Sequence, residues 1–401
     1  MAERCRKIEL EHHSHVPCQV DIARTSYVEH FTRSGIVDQS APLEFVLEPD
    51  ADGWLDPQDI HLHLRVQLRT WPDDAALTQA TAGTCDYKFA PINNLGHSLF
   101  SHKIIHLGNL EITTEEGHNG YRQEMIDRTS YSPLVKSTRL IMQGYQADED
   151  GAVTKASAGH RKRAERFDLS KTRELVVPLN WDLGDQPALL PPFLGLTIRY
   201  LKASPKFTCM AFAAAADAKK ECYVKITNAS LRARRVQLTP DAALRKHKEM
   251  AKGPLYYPIE RLITRTLAVP SSVRMHHFES PFQARKPPFL FLGFVASKAY
   301  HGDYGENPYN FGQHHIKRIT VRLDEQEFPQ PATDIDWTNE LGTQVYYQQF
   351  LNALNFGADA QHHNGITLDE WTKKGQVRPR RSVGRSVGSA RSCVTSRSSF
   401  P

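Results

Sequence analysis

Histidines are the residues with the clearest potential for chemistry in this chain. His61 and His63 alternate within a stretch of period two, so both imidazoles lie on one face of a predicted strand and could bind a metal ion together. The spaced Glu and His that would complete a cupin-type centre do not follow them. Four other histidine pairs are directly adjacent and point to opposite strand faces, which is poor geometry for binding one ion: His12-His13, His276-His277, His314-His315 and His362-His363. A solvated or interface face is the favoured interpretation of His61 and His63.

Nucleophiles and acids show no catalytic pattern either. Ser98 directly follows His97, but this neighbour pair is not a triad, which also needs an acid that orients the histidine. Asp334, Asp336 and Glu340 could form a carboxylate cluster, although their close spacing is more typical of a solvated loop. We therefore predict no catalytic residue, no cofactor and no metal ion, and the chain is not expected to be an enzyme.

A basic segment at residues 160–166 has three interpretations. Its sequence, His-Arg-Lys-Arg-Ala-Glu-Arg, could face packaged DNA or act as a nuclear localisation signal. It could also be a solvated loop balanced by the acids at positions 148–150, and this is the favoured interpretation.

Length, composition and charge restrict the class of protein. A chain of 401 residues, 40% of them hydrophobic, can bury two cores. It has no apolar run of the about 18 residues that a membrane-spanning helix needs, and its N-terminus lacks the apolar run of a signal peptide. The six cysteines are scattered, so free thiols in a reducing compartment are expected. Residues 371–401 hold eight positive charges and no acid, which leaves the rest of the +5 chain slightly acidic.

Hydrophobic periodicity predicts a mostly β protein. Apolar and polar residues alternate over 60–68, the mark of a strand with one buried face, and the long strand over 222–238 changes phase at Arg234-Arg235, which indicates a bulge. Gly108-Asn109 is a two-residue hairpin turn, preceded by a polar loop at 91–101 whose polar side chains are expected to contact the backbone. Further strands are predicted at residues 43–47, 174–179, 194–201, 262–269, 289–296 and 316–323, and helices at 121–128 and 346–354.

The order of these elements repeats, which predicts two tandem jelly-roll β-sandwiches. We divide the chain into an N-terminal arm (1–40), a first jelly roll (41–240), a second jelly roll (241–374) and a disordered Arg/Ser-rich tail (375–401). The candidates for long loops between strands are residues 48–58, 71–91, 148–168 and 273–288.

Two blocks of the sequence are distinctive. The first block, at 91–100, carries Asn93, Asn94, His97, Ser98, Leu99 and Phe100. The second block, at 302–311, carries Asn307, Pro308, Tyr309, Asn310 and Phe311. Both resemble blocks of a known family, the hexon-like double jelly-roll major capsid proteins of polintons (Mavericks) and adintoviruses, in which the position of Tyr309 is usually Phe. Weaker similarity at 42–45, at 233–238 and at 319–329 extends the resemblance, in the same order, from about residue 22 to about residue 371.

The resemblance implies a structural protein and not an enzyme. Its members form pseudo-hexagonal homotrimers that tile an icosahedral shell, so the implied partners are the chain itself, in the trimer and in the capsid lattice, and a minor or penton capsid protein. Double-stranded DNA is an indirect partner inside the shell, and the implied location is the virion. A chain that no longer assembles would remain inside the cell, in the nucleus or the cytoplasm. The long loops would form towers or contacts between subunits, which in such assemblies bury on the order of 2,000 Å² or more.

The C-terminus departs from the family. After 365–371 the family continues with more strands, whereas this chain continues with Arg/Ser low complexity. We hypothesise that a reading frame is lost near Gly375 or that a splice joins unrelated sequence, in an endogenous and defective copy whose second jelly roll is truncated. Strand 289–296 would then lack sheet neighbours and the chain would aggregate. The alternative to a lost frame or a splice is a genuine Arg-rich tail that neutralises encapsidated DNA. The alternative to a capsid protein is a cupin- or lectin-like host protein with a ligand or metal site near His61 and His63.

Overall fold

The structure, a computed structural model, describes most of the chain between residues 21 and 399. The described residues are 21–36, 41–50, 53–71, 74–76, 87–113, 119–146, 148, 157–212, 221–271, 273–279, 281–282, 289–312, 314–323, 326–328, 333–339, 341–353, 364–368 and 390–399. Among them no helix is long and apolar enough to cross a membrane.

The described elements are mainly strands joined by short helices. The strands are β1 (Ile22–Phe31), β2 (Leu43–Leu47), β3 (Gly53–Trp71), β4 (Phe89–Pro91), β5 (Phe100–Leu107), β6 (Leu110–Glu111), β7 (Arg173–Pro178), β8 (Leu196–Lys202), β9 (Cys209–Ala211), β10 (Glu221–Leu238), β11 (Glu260–Val269), β12 (Phe289–Ala296), β13 (Val321–Leu323), β14 (Gln326–Phe328) and β15 (Ala390–Ser399). The α-helices are α1 (Leu95–Ser98), α2 (Asn119–Ser130), α3 (Pro133–Thr138), α4 (Ala158–Arg166), α5 (Pro205–Thr208), α6 (Pro240–Met250), α7 (Ser297–His301) and α8 (Thr343–Ala353).

The first half is a sandwich of two four-stranded antiparallel sheets, in the orders β1-β10-β3-β7 and β2-β8-β5-β6. Its first strand pairs with its last, which is the strand order of a jelly roll. The predicted alternation over 60–68 is confirmed, because Leu62, Leu64 and Val66 are buried between the sheets while His61 and His63 face outward. One continuous apolar core fills this sandwich.

Strand β3 is longer than predicted and begins at Gly53, so the expectation of a loop at 48–58 is wrong for its second half. The predicted bulge is confirmed: the register shifts between Ala233 and Arg235, and Arg235 pairs with Leu55. Residues 56–59 of β3 lie opposite Arg234 at this point, and the backbone pairing resumes beyond it. Beside the bulge, the buried guanidinium of Arg235 donates to the carbonyls of Glu48 at 2.7 Å and Gly53 at 3.2 Å.

The hairpin at 105–112 is confirmed. Leu107 pairs with Leu110, and Gly108 takes a φ of +60°, which costs a glycine no steric energy. The predicted helices at 121–128 and 346–354 correspond to α2 and α8. The predicted loop at 148–168 is wrong where α4 forms, and α6 was also not predicted.

The second half contains the three-stranded sheet β11-β15-β12 and the two-stranded sheet β13-β14. Only Val321–Leu323 of the predicted strand at 316–323 forms. The reason is that other groups occupy its carbonyls: the indole of Trp337 donates to Ile316 at 2.8 Å, and the Ile335 amide donates to Lys317 at 2.7 Å.

The C-terminal segment differs from the expectation of a disordered tail over 375–401. Ala390–Ser399 forms β15, which pairs with both β11 and β12. A β-ladder satisfies backbone donors and acceptors whatever the side chains, so a Ser/Arg-rich segment can complete a sheet. Strand β12 therefore has a sheet neighbour, and the expectation that it lacks one is wrong. Residues 375–389 lie outside the described residues.

Candidate functional site

The two family-type blocks meet in space. The hydroxyl oxygens of Ser98, at the end of α1, and Tyr309 lie 2.5 Å apart, and both residues are buried. Burial raises the pKa of Tyr309 well above its usual value, so the phenol stays protonated. Since the Ser98 hydroxyl donates to the carbonyl of Asn94 at 2.8 Å, Tyr309 is left to donate to Ser98. The second block thus packs directly onto the first.

The first block sits on a network of buried polar side chains. The Asn93 amide donates to Glu124 at 3.2 Å, and the Asn94 amide donates to Asp127 at 2.6 Å. Both acids are on α2 and are fully buried. Asn94 itself adopts a left-handed φ of 54°, which asparagine tolerates better than most residues and which begins α1. The expectation that the polar side chains of this loop contact the backbone is confirmed for Asn93, whose Oδ1 accepts from the Gln146 amide at 2.5 Å, and for Ser98. It is incomplete, since the amide groups of both asparagines also donate to carboxylates.

Asp127 is the centre of this network. It also accepts from Gln143 at 2.7 Å and from Gln123 at 2.8 Å. Burial raises its pKa to about 7, although the amide donors act in the opposite direction. A carboxyl with three amide partners inside the protein is held in place and is not presented to a substrate.

Arg128 links the network to the second block. Its Nε donates to Glu124 at 2.7 Å, its Nη2 donates to the carbonyl of Tyr309 at 3.2 Å, and its guanidinium lies 5.2 Å from the centre of the Phe311 ring. One arginine therefore contacts an acid of the first half and two residues of the second block.

An apolar cluster surrounds the contact between Ser98 and Tyr309. Tyr121 packs edge-to-face against Tyr309 with ring centres 5.6 Å apart. Gly120 allows this approach, because a Cβ at that position would lie 2.5 Å from the Tyr309 hydroxyl. The buried members of the cluster are Ile92, Tyr121, Phe207, Met210, Val295, Ala299, Tyr309 and Phe311. We call the polar network and this cluster the junction.

The second block is also fixed at its start. Asn307 donates to Asp148 at 3.4 Å and accepts from the Tyr309 amide at 3.0 Å. Asp148 is paired with the buried guanidinium of Arg163 at 3.0 Å. Burial acts to raise the pKa of Asp148, but Arg163 outweighs it and the pKa is lowered. Pro308 is buried and Asn310 half-buried in the same turn, which the Asn310 amide closes by donating to the Asn307 carbonyl at 3.1 Å.

The basic segment at 160–166 is consequently not the solvated loop that was expected. It is helix α4, in which His160 and Arg163 are buried. His160 bonds to the carbonyl of Tyr87 at 2.8 Å, and Arg163 donates to the carbonyl of Pro91 at 2.9 Å. The packed face of α4 therefore supports the first block.

The remaining residues of the first block belong to the core. Leu99 and Phe100 are buried in the sandwich, and the ring of Phe100 lies 4.6 Å from that of Tyr200. His97 is buried, and its carbonyl accepts from Asn119 at 3.1 Å. Burial and the neighbouring cation of Lys103 lower the pKa of His97, so the ring is neutral and does not act as a base toward solvent.

The other candidate sites of the sequence are surface features. His61, His63, Tyr27, Glu29 and Arg232 line an open hollow of about 440 Å³ on the outer face of the first sheet. The described residues contain no group of three or more His, Cys, Asp or Glu side chains arranged to hold a metal ion.

The carboxylates near residue 336 do not converge. Asp334 pairs with Arg318 at 2.6 Å, whereas Asp336 accepts from the backbone amide of Thr338 at 2.9 Å. Glu340, His12-His13 and His362-His363 lie outside the described residues.

Sequence reasoning missed Glu124, Asp127 and Gln143 as partners of the first block. The signal was weak: α2 is a helix without an apolar stripe, and a polar helix is normally interpreted as a solvated one. Buried acids on such a helix become recognisable only when their amide partners, 31 and 33 positions earlier in the chain, are known.

Comparisons with known proteins address the fold. No protein-family model matches the chain. An uncharacterized protein of Caenorhabditis elegans is 24% identical over 270 residues, which are 65% of this chain and 60% of that protein, so the chain spans less than two thirds of this relative. A cryo-EM structure of the Sputnik virophage matches with a TM-score of 0.54 and 13% identity, over 100% of this chain and 86% of that one.

A quasi-atomic structure of the PBCV-1 virus capsid matches with a TM-score of 0.50 and 11% identity, over 96% of both chains. At these identities the likeness concerns the fold alone. Together with the jelly-roll strand order of the first half, it shows that this chain has the all-β double jelly-roll fold.

Proposed function

We propose that this chain is a structural capsid protein that assembles into homotrimers of a virus-like shell. The observation that carries the proposal is the junction, in which Ser98 and Arg128 of the first half both bond to Tyr309 of the second half. Two similar sandwiches per chain give a trimer a six-cornered outline, which can tile a closed surface. The location of the protein would then be the virion.

The chemistry of the junction supports a structural role. Its carboxylates accept hydrogen bonds from amides and a guanidinium, and Asn93, Asn94 and Ser98 are buried. Catalytic groups need access to a reacting molecule, whereas buried and mutually bonded polar groups specify one packing arrangement. A protein that must present identical surfaces many times benefits from such a fixed arrangement.

We further propose the polinton or adintovirus type for this chain, and that it is an endogenous copy. The proposal rests on the two sequence blocks around Asn93 and Asn307. Its test is the genomic neighbourhood of the encoding gene: genes resembling a packaging ATPase, a cysteine protease and a protein-primed polymerase should lie nearby. A neighbourhood of ordinary host genes at every copy of the locus would contradict it.

Assembly is tested with the purified full-length chain. Light scattering after size-exclusion chromatography should give three times the chain mass, and negative-stain micrographs should show six-cornered particles. Gly120→Leu should prevent trimers because its side chain would occupy the position of the Tyr309 hydroxyl. The matched control is Gly253→Leu, whose Cβ would meet nothing within 4 Å. A folded wild-type chain that stays monomeric at all concentrations would overturn the proposal.

A further inference from the structure

Two cysteines lie close together at the edge of the junction. Cys209 is the first residue of β9, Cys222 is the second residue of β10, and both are buried free thiols. The strands that carry them are neighbours, since Sγ of Cys222 lies 4.0 Å from the carbonyl oxygen of Met210, the residue after Cys209. The neighbouring Cys209 thiol and burial both act to raise the pKa of Cys222, so the two side chains influence each other.

We propose that Cys209 and Cys222 are a latent disulfide pair that closes when the folded protein meets a low-molecular-weight disulfide such as oxidised glutathione. In a reducing cell both remain thiols, as the scattered cysteines of the sequence predict. In an oxidising medium the cross-link ties β9 to β10. The inference goes beyond the capsid proposal and does not depend on assembly.

The reaction balances as two thiol–disulfide exchanges. The Cys209 thiolate attacks one sulfur of oxidised glutathione, forms a mixed disulfide and releases one glutathione thiolate. The Cys222 thiolate then attacks the Cys209 sulfur, forms the internal S–S bond and releases the second glutathione. Two protein thiols are oxidised, one glutathione disulfide is reduced to two thiols, and the two protons pass to the released thiolates.

Two features of the site determine the rate of closure. The hydrogen bond to Cys209 and burial both raise the pKa of Cys222, which keeps it protonated while the site is closed. Only the thiolate reacts, so the exchange requires a local opening. Strand β9 is short enough to open locally, because its three residues pair with the three-residue strand β4 in a two-stranded sheet. Closure is therefore slow and specific to oxidising conditions.

The cross-link would stabilise the region beside the junction. Strand β9 follows α5, whose Phe207 packs on Tyr309 with ring centres 6.0 Å apart. Strand β10 is an inner strand of the first sheet, between β1 and β3. A disulfide would link β9, which follows the helix that packs on Tyr309, covalently to the inner strand β10. It would also lower the conformational entropy of the unfolded chain, which stabilises the folded state.

The test uses a full-length variant in which Cys5, Cys18, Cys85 and Cys393 are serine, so that only the pair remains. After native incubation with oxidised glutathione and alkylation, the intact mass should be lower by two hydrogens and carry no alkyl group. Trypsin cuts after Lys219 and Lys220, between the two cysteines, so non-reducing digestion should yield two linked peptides. The melting temperature should rise by several degrees and return on reduction.

The matched control adds Cys222→Ala to the four-serine variant, so that Cys209 is the one cysteine left. It should accumulate glutathione on Cys209, because the second exchange cannot follow. Two alkylated thiols in the four-serine variant after prolonged native incubation would overturn the proposal, as would a mixed disulfide that never resolves. Either result leaves the capsid proposal untouched, since that proposal is tested by particle mass and shape.

Discussion

The hydroxyls of Ser98 and Tyr309 are 2.5 Å apart although 211 positions separate them in the chain. Ser98 is the last residue of α1, just before β5 of the first sandwich, and Tyr309 follows α7 in the second half. The contact is buried, so its hydrogen bond lies within the protein and away from water. This pair of side chains and the groups that bind them therefore position the second block relative to the first.

Replacing Tyr309 with Phe should destabilise the chain by about 1–2 kcal/mol, the effect of losing a buried hydrogen bond while most of the packing is kept. Ser98→Ala should cost a similar amount, and the double variant should cost less than the sum of the two. The measurement is the free energy of unfolding from urea titrations. Tyr256→Phe is the control, because the Tyr256 side chain is 85% exposed. Strict additivity of the two substitutions would contradict a direct interaction.

Gly120→Ala tests how closely α2 approaches the Tyr309 hydroxyl. In an exposed helix this change stabilises by about 1 kcal/mol, because alanine favours the helix. Here the new Cβ would lie 2.5 Å from the Tyr309 hydroxyl, so the sign should reverse. In the Tyr309→Phe background the oxygen is absent, so Gly120→Ala should lower the melting temperature much less than it does in the wild-type background. If Gly120→Ala is no less stable than the wild type, position 120 lies farther from the Tyr309 hydroxyl than the structure places it.

Asp127 should make stability depend on pH. Its usual pKa of 3.8 applies to the unfolded chain and burial raises it to about 7 in the fold, so folding takes up a proton between these values. The contribution of Asp127 is then most favourable below pH 3.8 and is lost as the pH rises to about 7, with a slope of up to about 1.4 kcal/mol per pH unit.

The comparison variant is Asp127→Asn, which cannot ionise. Its free energy of unfolding, measured at several pH values between about 5 and 8, should fall less steeply with rising pH than that of the wild type. Equal slopes for the two proteins would show that Asp127 does not change its protonation on folding.

The sequence predicted the parts of the fold that depend on local periodicity. The alternation at 60–68, the bulge at Arg235 and the turn at Gly108 each reflect a rule that operates over a few neighbouring residues. The strand at 316–323 was overpredicted because its carbonyls bond to residues from 335 onward. A local sequence pattern does not show that distant donors will bind these carbonyls in place of a neighbouring strand.

The candidate site was predicted only in part. The blocks around Asn93 and Tyr309 were recognised by resemblance, but their contact was not, because no local sequence pattern indicates which two distant segments pack together. Glu124 and Asp127 were missed for a related reason. Charged side chains are normally exposed. The burial of these two acids is tolerated because Asn93 and Arg128 donate to Glu124, and because Asn94, Gln123 and Gln143 donate to Asp127.

The Asp148–Arg163 pair should contribute far more than the surface ion pairs of this protein. Both side chains are buried, and Asp148 also accepts from Ser157 at 2.8 Å and from Asn307 at 3.4 Å. Asp148→Ala should therefore cost about 3–5 kcal/mol, because it leaves the guanidinium buried without its acid.

The matched control is Glu174→Ala, which removes the partner of Arg65 from an ion pair of similar length, 2.8 Å, whose side chains are 57% and 69% exposed. That change should cost at most about 1 kcal/mol, since water screens the pair. Urea titrations of both variants measure the difference. Because Asp148 also binds Asn307, its loss should in addition increase hydrogen exchange at the amide of Tyr309, whereas Glu174→Ala should leave that amide as protected as in the wild type. Equal costs for the two variants would mean that the Asp148–Arg163 pair is open to water and that the start of the second block is held by other contacts.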